Sequence, residues 1–302
     1  MRHLIEVKNR NRIKDGQTKT AWLFCSPALL LVFIFIAIPF AMAIVYSFTN
    51  KMLIPKTGRA TLFVGIKNYI DLLGNSSTMS AFGNTFFYAL LVVPAIILIS
   101  TLLAILVNKQ LKGVRLFRVI YFSPQVVTMT AVAVVWSFLL SPTSDGLLNA
   151  LLNNFGVEPQ RWLQDPKLAM FCIALMYIWQ TVGLQMIIML GGLQYIPEEQ
   201  YEAAYMDGCN AFQKFVYITV PSLKHTLVYV LISNTIGSLK LFTQVYVLTN
   251  GGPRGSTTSV VYLLYKSGFI NQQVGFSSAI AVVFFVLVFV ISQMQNKIFE
   301  RD

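Results

Sequence analysis

The sequence predicts an all-α membrane protein of six transmembrane helices with both chain ends in the cytoplasm. Composition points to the membrane: 56% of the 302 residues are hydrophobic and only 12% charged, about half the charged share of a soluble domain. Six long apolar runs supply the helices, at about 21–48, 81–107, 119–140, 168–190, 225–248 and 276–298, each near the roughly 20 residues that cross a bilayer core. They are continuous rather than alternating, which argues against a transmembrane β-barrel. Lys and Arg set the orientation, because they stay on the cytoplasmic side. Fourteen of the 23 lie in the N-terminal tail, the loops after spans two and four and the C-terminus; eight lie in the opposite loops, and Lys240 lies within a span.

Residues 1–20 read as a basic cytoplasmic tail and 21–302 as one transmembrane domain. The net charge of +11 requires no nucleic acid, since anionic lipid headgroups beside these flanks account for it. The triplet at 41–43, Ala-Met-Ala, looks like a leader cleavage site, but the apolar run continues past it and is too long for a signal core. Pro27 and Pro39 in the first run, Pro94 in the second and Pro124 in the third predict kinks. After span one, Leu62, Ile66, Tyr69, Leu72 and Leu73 can form one apolar helical face. The loops after spans three and five have the same amphipathic quality, suited to a membrane surface or a partner. Within the latter, "NGGPRGS" lacks the lysine of a phosphate-binding loop and reads as a turn.

Chemistry is conspicuously missing. No nucleotide-binding, H-E-x-x-H or G-x-S-x-G motif occurs, His3 and His225 are far apart, and Cys25, Cys172 and Cys209 have no paired spacing. The expectation is a non-catalytic chain with no catalytic residue, metal or bound cofactor, and a membrane enzyme is disfavoured. No Asp or Glu lies inside a span, which weakens a proton-coupled carrier. A self-sufficient secondary transporter or channel for a small polar solute remains the rival reading.

Residues 191–224 interrupt the apolar pattern on the cytoplasmic side. A helix begins with Pro197 in its first turn, Glu198 and Glu199 favour its positive end, and Gly208 stops it. Asn210 caps a second short helix running through Val220, which Pro221 ends. Glu198 and Glu202 repel each other at i,i+4, and Asp207 stands at the wrong pole of the helix dipole. Ala203, Ala204 and Gly208 lack bulk. Two readings follow: a solvated loop helix with Asp207 as a local cap, or a surface that lets another protein approach the backbone.

The order Glu202-Ala203-Ala204, Gly208, Ile218, Val220, Pro221 resembles the EAA loop of ATP-binding cassette importer permeases, with Val220 in place of Leu. Segments such as "FVGIKNYIDLL", "FRVIYFSPQVV" and "VYVLTNGGPRGST" extend the likeness to the carbohydrate-uptake branch over nearly the whole chain. That resemblance implies the type I importer permease fold in a bacterial plasma membrane. It also implies partners: a second homologous permease, a cytoplasmic ATPase dimer carrying ATP and Mg, an extracytoplasmic solute-binding protein and a carbohydrate substrate. Glu202, Ala203, Ala204, Asp207, Gly208, Ile218 and Pro221 would then couple the chain to the ATPase.

For the solute pathway, span five carries Asn234, Gly237, Ser238, Lys240 and Gln244 with Leu241 among them, too polar for a lipid-facing helix. Span four adds Tyr177, Trp179, Gln180 and Thr181, whose rings and polar groups suit a neutral polyhydroxylated ligand. The resemblance strengthens Tyr177, Thr181, Asn234 and Ser238. The other reading is hydrogen bonding between helices of partner permeases. Lys240 either lines the pathway or snorkels about nine residues toward the outer interface.

Overall fold

The computed structural model describes residues 18, 20–54, 60–108, 113–144 and 146–299; the expected basic tail therefore lies almost wholly outside the described residues. Among these, five helices are long and apolar enough to cross a membrane, or six if one bent pair counts as a single crossing.

Helix α1, Thr20–Ser47, is apolar throughout and its most hydrophobic window has no buried residue. Its lower half stands off the rest of the chain, while Phe40 packs on Phe285 with ring centroids 4.6 Å apart. Its hydrogen-bond ladder widens to a π turn at Phe33–Ala37, where the Ile38 N–H donates to the Phe33 carbonyl. Pro39 follows directly, and a wider turn relieves the ring crowding and the missing donor. The carbonyls at the end of α1 and just past it are claimed by α2, Lys67–Gly74, whose buried Asn68 donates from Nδ2 to Ser47 O at 2.7 Å and Thr49 O at 2.9 Å. The expected apolar face of this loop is not what is buried: Leu72 is, but Leu62 and Ile66 precede the helix and are exposed, as is Leu73. A polar side chain reaching orphan carbonyls decided the docking instead.

Helix α3, Ser76–Asn108, starts earlier than expected and continues through Pro94 without a break; the Asn75 side chain accepts from the Ser77 and Thr78 N–H groups at its start. The third apolar run is not one straight span. It forms α4, Val114–Val126, and α5, Met129–Leu139, bent by 99°. Val127 and Thr128 between them are extended. Pro124 O accepts from Val127 N–H at 3.3 Å, and further help comes from along the chain: after the short α6, Leu147–Asn153, comes α7, Ala169–Gln194, whose Gln180 Nε2 donates to Val127 O at 2.9 Å and Pro124 O at 3.5 Å. One turn on, a Cβ at Gly183 would stand 1.8 Å from Tyr121 O, so only glycine allows α4 this close.

The core forms where α7 lies along α3, the most extensive helix contact among the described residues. Tyr88, Val92 and Ile96 meet Met170, Ile173 and Ala174 toward one end, and Ala104 and Val107 meet Met186, Met189 and Leu193 toward the other. The charged segment forms α8, Glu198–Met206, and α9, Ala211–Lys214. Pro221 does not end the second helix as expected. A π turn at Phe215–Thr219 precedes it, the Val220 N–H donating to Phe215 O, and the helical path runs on through Val220–Ser222 and Leu223 into α10, Lys224–Leu239. Proline was accommodated here by the same widening as at Pro39.

The fifth run also breaks. Helix α10 stops at Leu239, and α11, Thr243–Leu248, resumes after Phe242. Ser259 Oγ donates to the Leu241 carbonyl at this break and accepts from Tyr262 N–H. It opens α12, Val260–Tyr265, which extends as a π turn to Ile270. The expected "NGGPRGS" turn is present, with left-handed backbone at Asn250, Gly251, Arg254 and Gly255, and Asn84 Nδ2 ties it to α3 through Gly255 O and Thr258 O. The last helix, α13, is Val274–Phe299.

In the loop after α5, Asn149 is fully buried and acts as a hub. Its Nδ2 faces the carbonyls of Ser141, Thr143 and Gln160, and its Oδ1 accepts from Gln160 N–H and from Trp162 Nε1 at 2.9 Å. Asn149→Ala should lower stability by about 1–3 kcal/mol, the cost of stranding buried polar groups. Asn149→Asp, which turns an acceptor toward three carbonyls, should destabilise at least as much; thermal unfolding of the purified protein checks both, and a wild-type midpoint for the Asp variant would refute the hub.

Candidate functional site

The cytoplasmic-side hairpin is built by local rules and then locked by tertiary contacts. Glu198 and Glu199 occupy the first turn of α8 behind Pro197, where the helix dipole favours anions. At the other end Gly208 has φ +77°, the Gly208 N–H donates to Tyr205 O at 3.0 Å, and the Cys209 N–H donates to Ala204 O at 2.9 Å. These are the paired bonds of a glycine-terminated helix, and they satisfy carbonyls that would otherwise be orphaned. Asn210 starts the second arm with a reciprocal cap, Oδ1 accepting from Gln213 N–H at 2.9 Å and its own N–H donating to Gln213 Oε1 at 2.8 Å. Tyr201 Oη and Thr219 Oγ1, 3.0 Å apart, join the arms. Ile196, Tyr201 and Ile218 press the hairpin onto Leu193, Leu223 and the ends of α3 and α7.

The seven residues expected to couple the chain divide by position. Glu202, Ala203, Asp207 and Gly208 are exposed, and a Cβ at Gly208 would meet nothing within 4 Å. Ala204 is turned inward and buried, and Ile218 packs in the core, so neither is open to a partner. Pro221 lies apart, lining a small apolar cavity with Ile97 and Leu231. Asp207 does not cap: among the described residues its carboxylate has no hydrogen-bond or ion-pair partner. Sequence reasoning missed the apolar side of this surface. Tyr205, Met206, Phe212 and Tyr217 are each more than 70% exposed, with the Lys214 ammonium 4.8 Å from the Tyr205 ring. Their signal was large apolar residues inside a hydrophilic segment, at positions that Ile196, Tyr201 and Ile218 do not share.

The residues expected to line a solute path are brought together only in part. Tyr177 packs beside Tyr88, centroids 6.0 Å apart, and a Cβ at Gly237 would come within 3.0 Å of its Oη; Leu241 belongs to the same cluster. Asn234, Ser238, Thr181 and Gln244 are buried. Asn234 Nδ2 donates to Val230 O at 2.7 Å and Ser238 Oγ to Thr235 O at 2.9 Å, so these polar groups fold back on their own helix, which satisfies them without a ligand. Gln180 is committed to the α4–α5 bend, although its Oε1 is buried with no partner, as is Tyr88 Oη. Trp179 leaves the group altogether and packs against Trp136 at 5.9 Å.

Lys240 is exposed at the C-terminal cap of α10, where the dipole favours a cation. The nine-residue helical climb assumed for snorkelling does not exist, because α10 ends one residue before it. Among the described residues no cluster of His, Cys, Asp or Glu could hold a metal ion.

Known proteins share this architecture. The chain is 33% identical over 295 residues to the trehalose/maltose transport system permease protein MalF of Thermococcus litoralis, covering 97% of this chain and 98% of that one. It is 31% identical over 279 residues to the arabinooligosaccharides transport system permease protein AraP of Bacillus subtilis, covering 92% and 87%. A chain from the crystal structure of a bacterial ABC transporter involved in import of the acidic polysaccharide alginate superposes with a TM-score of 0.82 at 22% identity, over 96% of this chain and 99% of that one. At that identity the likeness is one of fold, and the fold is that of an importer permease. Residues 73–302 match the family model of binding-protein-dependent transport system inner membrane components, and a match over that much of the molecule means that this multi-pass chain belongs to that family.

Proposed function

We propose that this chain is one of two permease subunits of an ATP-driven importer for a sugar, oligosaccharide or related polyol. The observation that carries the proposal is the hairpin around Gly208: a rigid helix stop that leaves Glu202, Ala203 and four large apolar side chains unburied outside the bilayer-length helices. A surface of that kind loses apolar area from water only when a partner covers it. An ATPase subunit, holding ATP and Mg, is the partner proposed. The names of relatives that carry trehalose/maltose and arabinooligosaccharides support a carbohydrate cargo delivered by an extracytoplasmic binding protein.

On this reading the bent α4–α5 pair is a single crossing, residues 21–302 form one transmembrane domain, residues 1–20 are its basic tail and both ends are cytoplasmic. The unburied length of α1 is consistent with a second permease packing there. ATP-driven closure of the ATPase pair pulls on the hairpin, and Tyr201, Ile218 and Leu223 pass that force to α7 and α10. The membrane part shifts between inward- and outward-facing populations because the closed ATPase binds one of them better. A Cβ at Gly237 of α10 would come within 3.0 Å of Tyr177 Oη on α7, and the proposal takes Tyr177, Thr181, Asn234, Gly237, Ser238, Lys240 and Leu241 as solute-facing in the state that opens there.

Gly208→Val forces a β-branched residue into left-handed backbone, a cost of roughly 1–2 kcal/mol, and adds bulk at an open surface. It should leave the assembled complex in the membrane but cut ATPase stimulation by loaded binding protein about tenfold or more, as should Glu202→Lys. Normal stimulation in both variants would sink the coupling role. For Lys240→Met the expected result is intact assembly with sugar uptake reduced several-fold. Uptake at the wild-type rate would leave this lysine only its helix-end role.

A further inference from the structure

Tyr88 lies twelve residues, about 18 Å, inside the start of α3. It is completely buried, yet its Oη has no hydrogen-bond partner among the described residues. A hydroxyl on a short helical side chain can meet its own backbone by turning about χ1, as Thr85 does with Ala81 O at 2.8 Å. A phenol hydroxyl stands too far from its own backbone for that and depends on a group from elsewhere. The ring is held in place from two sides. Close by on α3, Thr85 Oγ1 accepts from Val260 N–H at 2.9 Å and Asn84 Nδ2 donates to Gly255 O at 2.9 Å, which pins this part of the helix to the start of α12 and the turn before it. On the other side, the Tyr177 ring of α7 stands 6.0 Å away, centroid to centroid. Leu241 and Phe242, at the break between α10 and α11, join the same cluster. A well-held hydroxyl that the packing does not use is costly unless another state supplies its partner.

The cover over Tyr88 is made of residues already taken as solute-facing. Tyr177 is only half-buried, and the Gly237 backbone of α10 lies against its Oη. When α7 and α10 part there, Tyr177 loses its support and the phenol behind it comes within reach. A phenol hydroxyl both donates and accepts, as a sugar hydroxyl does, and the rings of Tyr177 and Phe242 beside it suit the apolar face of a sugar ring. We propose that Tyr88 is a further solute-contacting residue, whose hydroxyl bonds one hydroxyl of the carbohydrate and selects for it. The proposal rests on the carbohydrate reading given above. It also gives the unmet hydroxyl a consequence: the packing that closes over Tyr88 leaves it without a partner, so that the opened state with sugar present is favoured by a bond the closed state lacks.

The test uses the assembled complex in proteoliposomes with loaded binding protein, and follows uptake of trehalose, maltose and arabinotriose. Tyr88→Phe deletes a single oxygen. It should lower uptake of the sugar that wild type carries by about five-fold or more, while the thermal midpoint stays level or rises because no bond is lost in the closed packing. One monodeoxy form of that sugar should be carried poorly by wild type and no worse than the parent sugar by the Phe variant, the non-additivity expected of two groups in contact. A second arm needs no sugar. In Tyr88→Cys, a charged water-soluble thiol reagent should modify residue 88 several-fold faster in one of the nucleotide-free and vanadate-trapped complexes than in the other, read by peptide mass spectrometry. Wild-type uptake by the Phe variant, or a lowered midpoint, overturns the proposal. If wild type carries none of the three sugars, it is the carbohydrate reading that fails, and the thiol arm decides for Tyr88: protection in both states overturns its place on the path, and modification in one upholds it.

Discussion

Every backbone N–H and C=O at membrane depth must find a partner inside the protein, because hydrocarbon offers none. The rest of this structure is arranged around the places where that rule is hardest to meet. At the α4–α5 bend the carbonyls of Pro124 and Val127 are met by Gln180. At the break after α10 the Leu241 carbonyl is met by Ser259. At the end of α1 and just past it the carbonyls of Ser47 and Thr49 are met by Asn68. Each partner comes from a different helix or loop, so each irregularity also joins two elements. The chain is held together by its exceptions as much as by its ladders.

Proline is handled by a second device. Pro39 and Pro221 each follow a π turn, which keeps the helix path continuous while giving up little hydrogen bonding. At Pro221 this has a structural consequence. The second arm runs in helical turns from Ala211 to Ser222 and is separated from α10 only by the turn residue Leu223, which is itself buried in the core cluster. The first arm is fixed by the Gly208 stop and the Tyr201–Thr219 contact. The result is a hairpin held at both arms that leaves an aromatic face exposed.

The polar residues of the bilayer segments divide between structure and availability. Asn234, Ser238 and Thr235 satisfy themselves on their own helix, whereas Tyr88 Oη, Gln180 Oε1 and Gln185 Oε1 are buried without partners. Self-satisfied groups can turn to a ligand at small cost when helices separate, because the bond they give up is local.

By itself, the sequence determined the apolar runs, the Gly208 stop, the Asn210 cap and the family motif, because each depends on residues within a few positions of one another. It also placed the glycine-rich turn. It did not show that the third run folds back by 99°, that α10 ends at Leu239, that Ala204 faces inward while Ala203 faces out, or that Tyr205 and Phe212 stay uncovered. Those depend on which distant group reaches which orphan atom: Gln180 lies 53 residues from Val127, and Asn84 is 174 residues from Thr258. Local composition decides where a helix can form and stop, but only packing decides which way it turns and which of its side chains are left for another molecule.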